Sequence, residues 1–507
     1  MGQSSRPSFT DRPPGAHPED RGPGIFSGVA KHSLIYAIGM VIGRGISFIL
    51  LPLYTRYLSP ADYGVMGLVE LTLDFVAILA GAQLAAGVFR FYHKAESAEE
   101  RERMVSTGFF IVAAMYSIVG VLAFLGAGPL SELIFGTRDN QILFQVAAVN
   151  LAMSAFAIVP LAFARVEDRS VFFVASNLVK LVLMVTLNLL FLVVLGLGVL
   201  GVFLSSLIAN SLIGGFLAIW LLRRVRFSFD GPAARSLIRF GIPLVGMQIA
   251  TFTATFADRF FLQGFGDEAT VGLYNLAYQF GFILVMVGFM PVDQIWGPRR
   301  FKALKEDNRD DVLARAFTLI NVLLMTVAVG IILLVGDVLR IMTTPAFHEA
   351  ANVVPVILVA YIFQCWASVQ DLGILASERT EFLTLANVIS AAVALVGYAI
   401  LIPPFLAWGA ATATVLAFAV RYALTYYLAQ RLFYIQYKWK SVLLLTGWSS
   451  GLCLVSLFVI PDMAITPSLA LRLLLIGVYF VGLWQLPILE ERDRAAVVQV
   501  VRNALGR

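Results

Sequence analysis

The sequence predicts an all-α, polytopic membrane protein, and three observations carry that reading. Apolar side chains make up 59% of the 507 residues and charged ones only 14%, against about 25% charged in ordinary soluble domains. The apolar residues fall into fourteen runs, each of roughly 18–25 residues, the length a helix needs to cross about 30 Å of hydrocarbon. Lys and Arg concentrate in every second break between those runs. This composition excludes a cytosolic enzyme, a nucleic-acid binder and a secreted disulfide scaffold. The net charge of +5 therefore reads as basic cytoplasmic loops and not as a nucleic-acid surface. Cys365 and Cys453 lie within apolar runs and read as small core residues. The four histidines (17, 32, 93 and 348) show no metal-ligand spacing, and neither a metal nor a cofactor is expected.

Taken in order, residues 1–31 are rich in Pro, Gly, Ser and charge and are expected to form a disordered cytoplasmic tail. The expected spans are 33–54, 64–89, 106–125, 141–163, 171–195 and 199–222, which form an N-lobe over 32–223. A linker at 224–237 follows. Spans 238–262, 271–296, 312–335, 350–375, 382–402 and 405–429 form a C-lobe over 238–431. Two more, 441–460 and 467–489, make an appendage over 432–490, before a tail at 491–507. The joints Gly196-Leu-Gly198 and Pro403-Pro404 are short enough to imply tight helical hairpins. With the N-terminus inside, the inner segments hold 28 Lys and Arg and the outer ones only four, Arg56, Arg138, Arg259 and Arg340. Missing one span would scramble that alternation, so the bias predicts cytoplasmic termini at both ends.

The chain repeats itself weakly at a spacing near 208–210. Ala61-Asp-Tyr-Gly64 matches Ala269-Thr-Val-Gly272, Glu167-Asp-Arg169 with Asn177 matches Ser377-Glu-Arg379 with Asn387, and Gly201-Val202 matches Gly409-Ala410. The repeat is parallel, and transporters built this way hold substrate between two lobes that rock against one another.

Five stretches follow one another along the chain: Gly43-Arg44, Leu58-Ser-Pro-Ala-Asp-Tyr-Gly64, Ala257-Asp258-Arg259 with the following Phe-Phe-Leu-Gln-Gly-Phe, Val271-Gly-Leu-Tyr-Asn-Leu-Ala-Tyr278, and Arg379 to Asn387. On these residues the sequence resembles the lipid-linked oligosaccharide flippases, the Wzx-type polysaccharide-export branch of the MATE-like transporters (MOP superfamily). The resemblance implies a non-enzymatic carrier in the bacterial cytoplasmic membrane. Its cargo would be an undecaprenyl-pyrophosphate-linked glycan, moved to the outer leaflet through a cationic cavity for cell-surface polysaccharide synthesis. It further implies fourteen helices with a lipid-tail groove at the last two, contact with polysaccharide polymerase or export machinery, and H⁺ or Na⁺ as a coupling ion. Many relatives carry a basic residue where this chain has Gln279.

Charges inside the spans give the candidate site. Each costs about 2.5–3.5 kcal/mol at mid-bilayer on insertion scales, so it normally faces a partner or water. Arg44 is expected near the midplane, level with Asp74, with Glu70 one turn away on the same face. Its two readings are a structural ion pair and a cavity-lining cation. Lys180 and Arg421 are expected to meet phosphate in the inner half, one from each lobe, or else to reach the inner headgroups. Arg90 is a cavity candidate or a topology anchor. Asp258 and Arg259 are adjacent, so at most one is expected to point at the cavity. Asp74, Glu70 and Asp258 are the ion-coupling candidates. Two rival functions are a MATE-type drug or cation antiporter and a membrane glycan polymerase or ligase. The first would favour acidic residues in its cavity. The second needs a sizeable outer loop bearing acid–base groups, and the longest outer breaks, near 126–140 and 336–349, have about fifteen residues.

Overall fold

A computed structural model describes residues 50–81, 84–459 and 465–495. The tails, the Gly43-Arg44 pair and most of the first expected span lie outside these residues. Among the described residues every regular element is a helix, and eleven helical segments are long and apolar enough to cross a membrane. Of the difference from fourteen, one span, 33–54, lies almost wholly outside the described residues, and the other two have physical causes. The expected span 64–89 breaks at Gly81, whose φ is +82°, into α2 (Pro60–Leu79) and α3 (Leu84–Lys94), after a short α1 (Leu51–Tyr57). Conversely, a single helical run of 52 residues, Glu381–Leu432, contains two expected spans. It reverses at Leu406 (φ 45°, ψ −121°), just past Pro403 and Pro404, so that Ser390 Oγ donates to the Ala417 carbonyl at 2.8 Å.

The described chain divides into two compact units, one containing 72–246 and the other 50–71 and 247–495. The division falls later than the expected 224–237 linker, and 50–71 groups with the second unit.

In the first unit, α4 (Ala98–Leu125), α6 (Gln141–Val166) and α8 (Gly198–Leu222) make the core, with α6 packed against both of the others. Phe109, Val112, Phe144, Ala148, Val159, Phe203 and Leu217 are buried there. Ser97 starts α4 by accepting the Glu100 N–H at 3.1 Å, while the Glu100 carboxylate accepts the Glu96 N–H at 3.0 Å, an arrangement that satisfies amides with no intrahelical partner. The 126–140 break, expected as loop, instead contains α5 (Ala127–Phe135). α7 (Ser170–Asn188) ends in a widened turn, Leu189–Val194. Gly196 and Gly198, at φ +64° and +56°, then reverse the chain into α8, as the short joint implied. α9 (Gly231–Phe256) runs from this unit into the next.

In the second unit, α10 (Asp258–Phe265), α11 (Glu268–Ile283), α12 (Met290–Ala303), α13 (Arg309–Met342), α14 (Ala350–Gln370), α15 (Leu372–Ala376) and the bent α16 (Glu381–Leu432) precede α17 (Trp439–Val459) and α18 (Ile465–Gln485). α14 packs along α16, and α17 and α18 pack on α13. Met325, Val329 and Leu333 of α13 meet Leu445, Leu452, Tyr479 and Leu483, so the last two helices share a continuous apolar core with α13. Their other faces expose Leu454, Phe458 and Leu474, as expected for surfaces that lipid covers.

The internal repeat is visible as local geometry. Asp168 and Glu378, equivalent by sequence, are two of the three non-glycine residues at positive φ among the described residues, at 56° and 57°. The amides of Arg169 and Arg379 each close on the carbonyl five residues back, at 2.9 and 3.2 Å.

Candidate functional site

The densest polar cluster within the apolar helices lies in the second unit, around Asp258 and Arg259. The expected continuous span 238–262 stops at Phe256 and restarts at Asp258. The break lets both adjacent side chains turn into one buried cluster, with Asp258 0% and Arg259 2% exposed. Arg259 Nη1 donates to Asp258 Oδ1 at 2.6 Å and to the Thr255 carbonyl at 2.9 Å, and Nε donates to Asn275 Oδ1 at 2.8 Å. The guanidinium carbon sits 3.8 Å from the centre of the Tyr278 ring, within range of a cation–π contact. The hydroxyls of Tyr274 and Tyr278 donate to Asp258 Oδ2 at 2.7 and 3.1 Å. Tyr398 donates to the Ala254 carbonyl at 3.0 Å and lies 3.1 Å from Thr414 Oγ1. The cluster carries no net charge, because its one guanidinium and one carboxylate cancel.

Towards the other end of the same unit, Arg421 stands on α16 in a partly accessible position. Among the described residues it has no hydrogen-bond or ion-pair partner. The nearby carboxylate of Asp371 is already matched: Arg300 Nη1 donates to Asp371 Oδ1 at 2.8 Å and to the Ser368 carbonyl at 3.0 Å. Gln279, the departure from the resemblance, donates through Nε2 to the Tyr63 hydroxyl at 2.7 Å.

In the first unit, Lys180 on α7 is partly accessible and, among the described residues, has no hydrogen-bond or ion-pair partner. Arg90 is exposed within α3, one turn before its end at Lys94, with its guanidinium 4.9 Å from the centre of the Phe240 ring. On α2, Glu70 and Asp74 are one turn apart, and both are exposed. Arg44 lies outside the described residues, so its pairing with Asp74 does too.

Tyr274, Asn275 and Tyr278 lie in the motif at 271–278 that carries the resemblance but were given no role in the candidate site, and Tyr398 and Thr414 were not singled out. Their signal is thin: Tyr274 and Tyr278 are one helical turn apart, but nothing in the sequence places them against Asp258 ahead of a fold. Asp337 and Arg472, joined at 3.0 Å, are likewise 135 positions apart in the chain.

A family described as "Polysaccharide biosynthesis protein" matches residues 29–304. A lipid III flippase of Escherichia coli (strain K12) is 26% identical over 124 residues, 24% of this chain and 29% of the relative; the match thus spans under a third of that relative's length. Among solved structures, the lipid II flippase MurJ in an inward closed conformation superposes with a TM-score of 0.72 at 11% identity, over 90% of this chain and 98% of the other. An inward-facing multidrug resistance MATE family transporter of the MOP superfamily gives 0.61 at 15% identity, over 79% and 97%. At such identities the structures establish a shared fold, and the fold carries more than one function. The family match covers more than half of the residues in order; on that ground this multi-pass membrane protein is a member of the polysaccharide biosynthesis protein family.

Proposed function

We propose that the protein is a flippase that moves a polyprenyl-diphosphate-linked glycan from the inner to the outer leaflet of the bacterial cytoplasmic membrane by alternating access, with both termini cytoplasmic. The observation that carries this reading is that each unit holds a cation, Lys180 in the first and Arg421 in the second, set in an apolar helix with no ion-pair or hydrogen-bond partner among the described residues. A lone cation there is unfavourable, and an anion supplied by a substrate removes the cost. Arg421 suits a diphosphate because its planar fork can bind two phosphate oxygens at once.

The physical problem fits such a carrier. Each glycan hydroxyl moved into hydrocarbon without a partner costs roughly 2–7 kcal/mol. A polyprenyl tail, at about 0.8 kcal/mol per buried CH₂, stays in the bilayer. A wet cationic chamber for the head and a lateral opening for the tail meet both demands. Arg44 and Arg90 are further candidates for that chamber. Asp258 and Arg259 neutralise each other, so we assign them to holding the second unit together and place any H⁺ or Na⁺ coupling on Asp74 and Glu70 instead.

A thermal-shift series on purified protein tests the proposal. Prenyl-diphosphate glycans should raise the unfolding midpoint, and cationic drugs should not; the reverse pattern would favour the antiporter. Arg421→Gln and Lys180→Gln should unfold near the wild-type temperature yet lose the glycolipid shift. The mass of lipid co-purifying with the protein would identify the glycan.

A further inference from the structure

Between α8 and α9 the chain lies as a strap across the start of α4, within the first unit. No helix covers 226–230, and alternate amides there point at α4. Arg226 N–H donates to Glu102 Oε2 at 3.4 Å, Ser228 N–H to Ser106 Oγ at 3.1 Å, and Asp230 N–H to Thr107 Oγ1 at 3.0 Å. Alternation of this kind belongs to an extended segment, in which successive side chains take opposite faces. Ser106 and Thr107 are themselves buried, so two of the three anchors are fixed parts of the helix.

The depth of the strap follows from α4. Glu99, Glu100, Arg101, Glu102 and Arg103 crowd its first turns, and from Met104 to Leu125 it carries no charge. That change marks the level at which the helix enters hydrocarbon, and Ser106 and Thr107 lie just beyond it. Phe227 reaches further. Its ring meets that of Phe110 edge-on, with 4.7 Å between centroids, and Phe110 is seven residues past Arg103, about 10 Å along the helix. Phe229 shares the face of Phe227 by the alternation. Both rings are bare, Phe227 75% and Phe229 62% exposed, while Arg226 takes the opposite face.

We propose that this strap binds anionic phospholipid, with Phe227 and Phe229 among the acyl chains and Arg223 and Arg226 at the headgroup phosphates. Rings on one face and cations on the other suit the boundary between acyl chains and headgroups. The charge is complementary: 223–230 contains three arginines and one aspartate, and a basic segment at this level is drawn to anionic lipid. Glu99 pairs with Arg103 at 2.6 Å and Glu167 with Arg169 at 2.7 Å. Arg224 lies 3.7 Å from Glu167 and 5.1 Å from the centre of the Trp220 ring, which leaves Arg223 and Arg226, both exposed, as the cations assigned to phosphate. Gly231 opens α9 directly after the strap, so the lipid contact sets the depth at which α9 enters the bilayer. That the leaflet is the inner one rests on the topology proposed above; the insertion of the strap does not.

The test uses full-length protein in phosphatidylcholine bilayers, with a fluorescent label attached in turn to Arg226→Cys, Phe227→Cys and Phe229→Cys. The two native cysteines are buried, and unsubstituted protein gives the labelling background. Lipid carrying a nitroxide on its acyl chain should quench the labels at 227 and 229 more than a water-soluble quencher does, and the order should reverse at 226. For the label at 229, nitroxide phosphatidylglycerol should match the quenching by nitroxide phosphatidylcholine at about a fivefold lower mole fraction, the effect of one arginine near anionic lipid. Arg223→Gln with Arg226→Gln should abolish that difference. A label at 229 that favours the water-soluble quencher would overturn the insertion. One shielded from both quenchers would mean that another part of the chain covers the strap, and the proposal fails. Equal quenching by the two lipids, or a preference that survives loss of both arginines, would overturn the anionic headgroup. The labels read position in the bilayer, so an inactive flippase assay would leave the result standing, and a failed insertion would leave the proposed function untouched.

Discussion

Arg259 and Arg421 belong to one unit and both sit in apolar helices, yet removing their charges should have opposite consequences. Arg259 is matched by Asp258 Oδ1 at 2.6 Å and by Asn275 at 2.8 Å, and the carboxylate it matches is fully enclosed. Breaking a buried pair from one side costs about 3–5 kcal/mol because the other charge is stranded. Asp258→Asn and Arg259→Gln should each lower the unfolding midpoint clearly, and differential scanning calorimetry of the purified variants would show it. Arg421 has no such partner among the described residues, so Arg421→Gln should move the midpoint little and act on substrate binding instead. A large loss of stability for Arg421→Gln would count against its assignment to the substrate chamber. The sequence identified both arginines as costly but could not rank them. The ranking depends on Tyr274, Tyr278 and Asn275, which reach Asp258 and Arg259 only once α11 lies against α10. Helix periodicity does not encode which helices are neighbours.

At the scale of elements, the repeat was the most informative feature of the sequence, and its glycines show why. Gly64 on α2 and Gly272 on α11 occupy equivalent positions, and within the second unit they meet. A Cβ on Gly64 would lie 1.9 Å from the Glu268 carbonyl oxygen, and one on Gly272 would lie 1.9 Å from the Pro60 carbonyl oxygen. The contact is reciprocal, and the 208-residue offset relates both pairs. Backbones that approach this closely need small residues at the crossing. Gly64→Ala or Gly272→Ala must push the helices apart, at a cost of about 1–3 kcal/mol. Gly246→Ala on α9, where a Cβ meets nothing within 4 Å, should be neutral or slightly stabilising. Equal midpoints for all three variants would deny the crossing. Asp267 gives a second test at this scale. It caps α11 by accepting the Thr270 N–H at 2.8 Å, and hydrogen bonding from the Thr270 side chain, together with that N–H, holds its carboxyl below the usual range. A folded-state pKa below the unfolded one means that the cap stabilises above the unfolded value and fades as pH falls through the folded value. Asp267→Ala should therefore cost about 1 kcal/mol near neutral pH, with a gap from wild type that narrows below about pH 4. The breaks at Gly81 and Ala257 were less legible, because both fall inside single expected spans, 64–89 and 238–262, whereas the reversal at Leu406 lies just past the Pro403-Pro404 joint that implied it.

For the molecule as a whole, the 28-to-4 distribution of Lys and Arg and the diphosphate reading make a joint prediction about energetics. Basic segments are retained on the cytoplasmic side, which sets the direction in which the proposed cargo crosses the field. A potential that is negative inside favours outward movement of an anion by about 2.3 kcal/mol per net charge for each 100 mV. The cargo's negative charge should contribute that driving force as long as the cations that hold it stay with the protein and return empty. Proteoliposomes containing the protein in one orientation, loaded with a labelled polyprenyl-diphosphate glycan, allow the measurement. Delivery to the outward leaflet should accelerate when a K⁺ gradient with valinomycin makes the inside negative, and slow when the gradient is reversed. Because Lys180 and Arg421 would travel inward with the returning carrier as uncompensated positive charges, the same field should also favour the empty return. At saturating cargo, where return is limiting, the rate should therefore still rise as the inside is made more negative. A rate that ignores the potential, while following a pH or Na⁺ gradient, would shift the driving force from the cargo to Asp74 and Glu70.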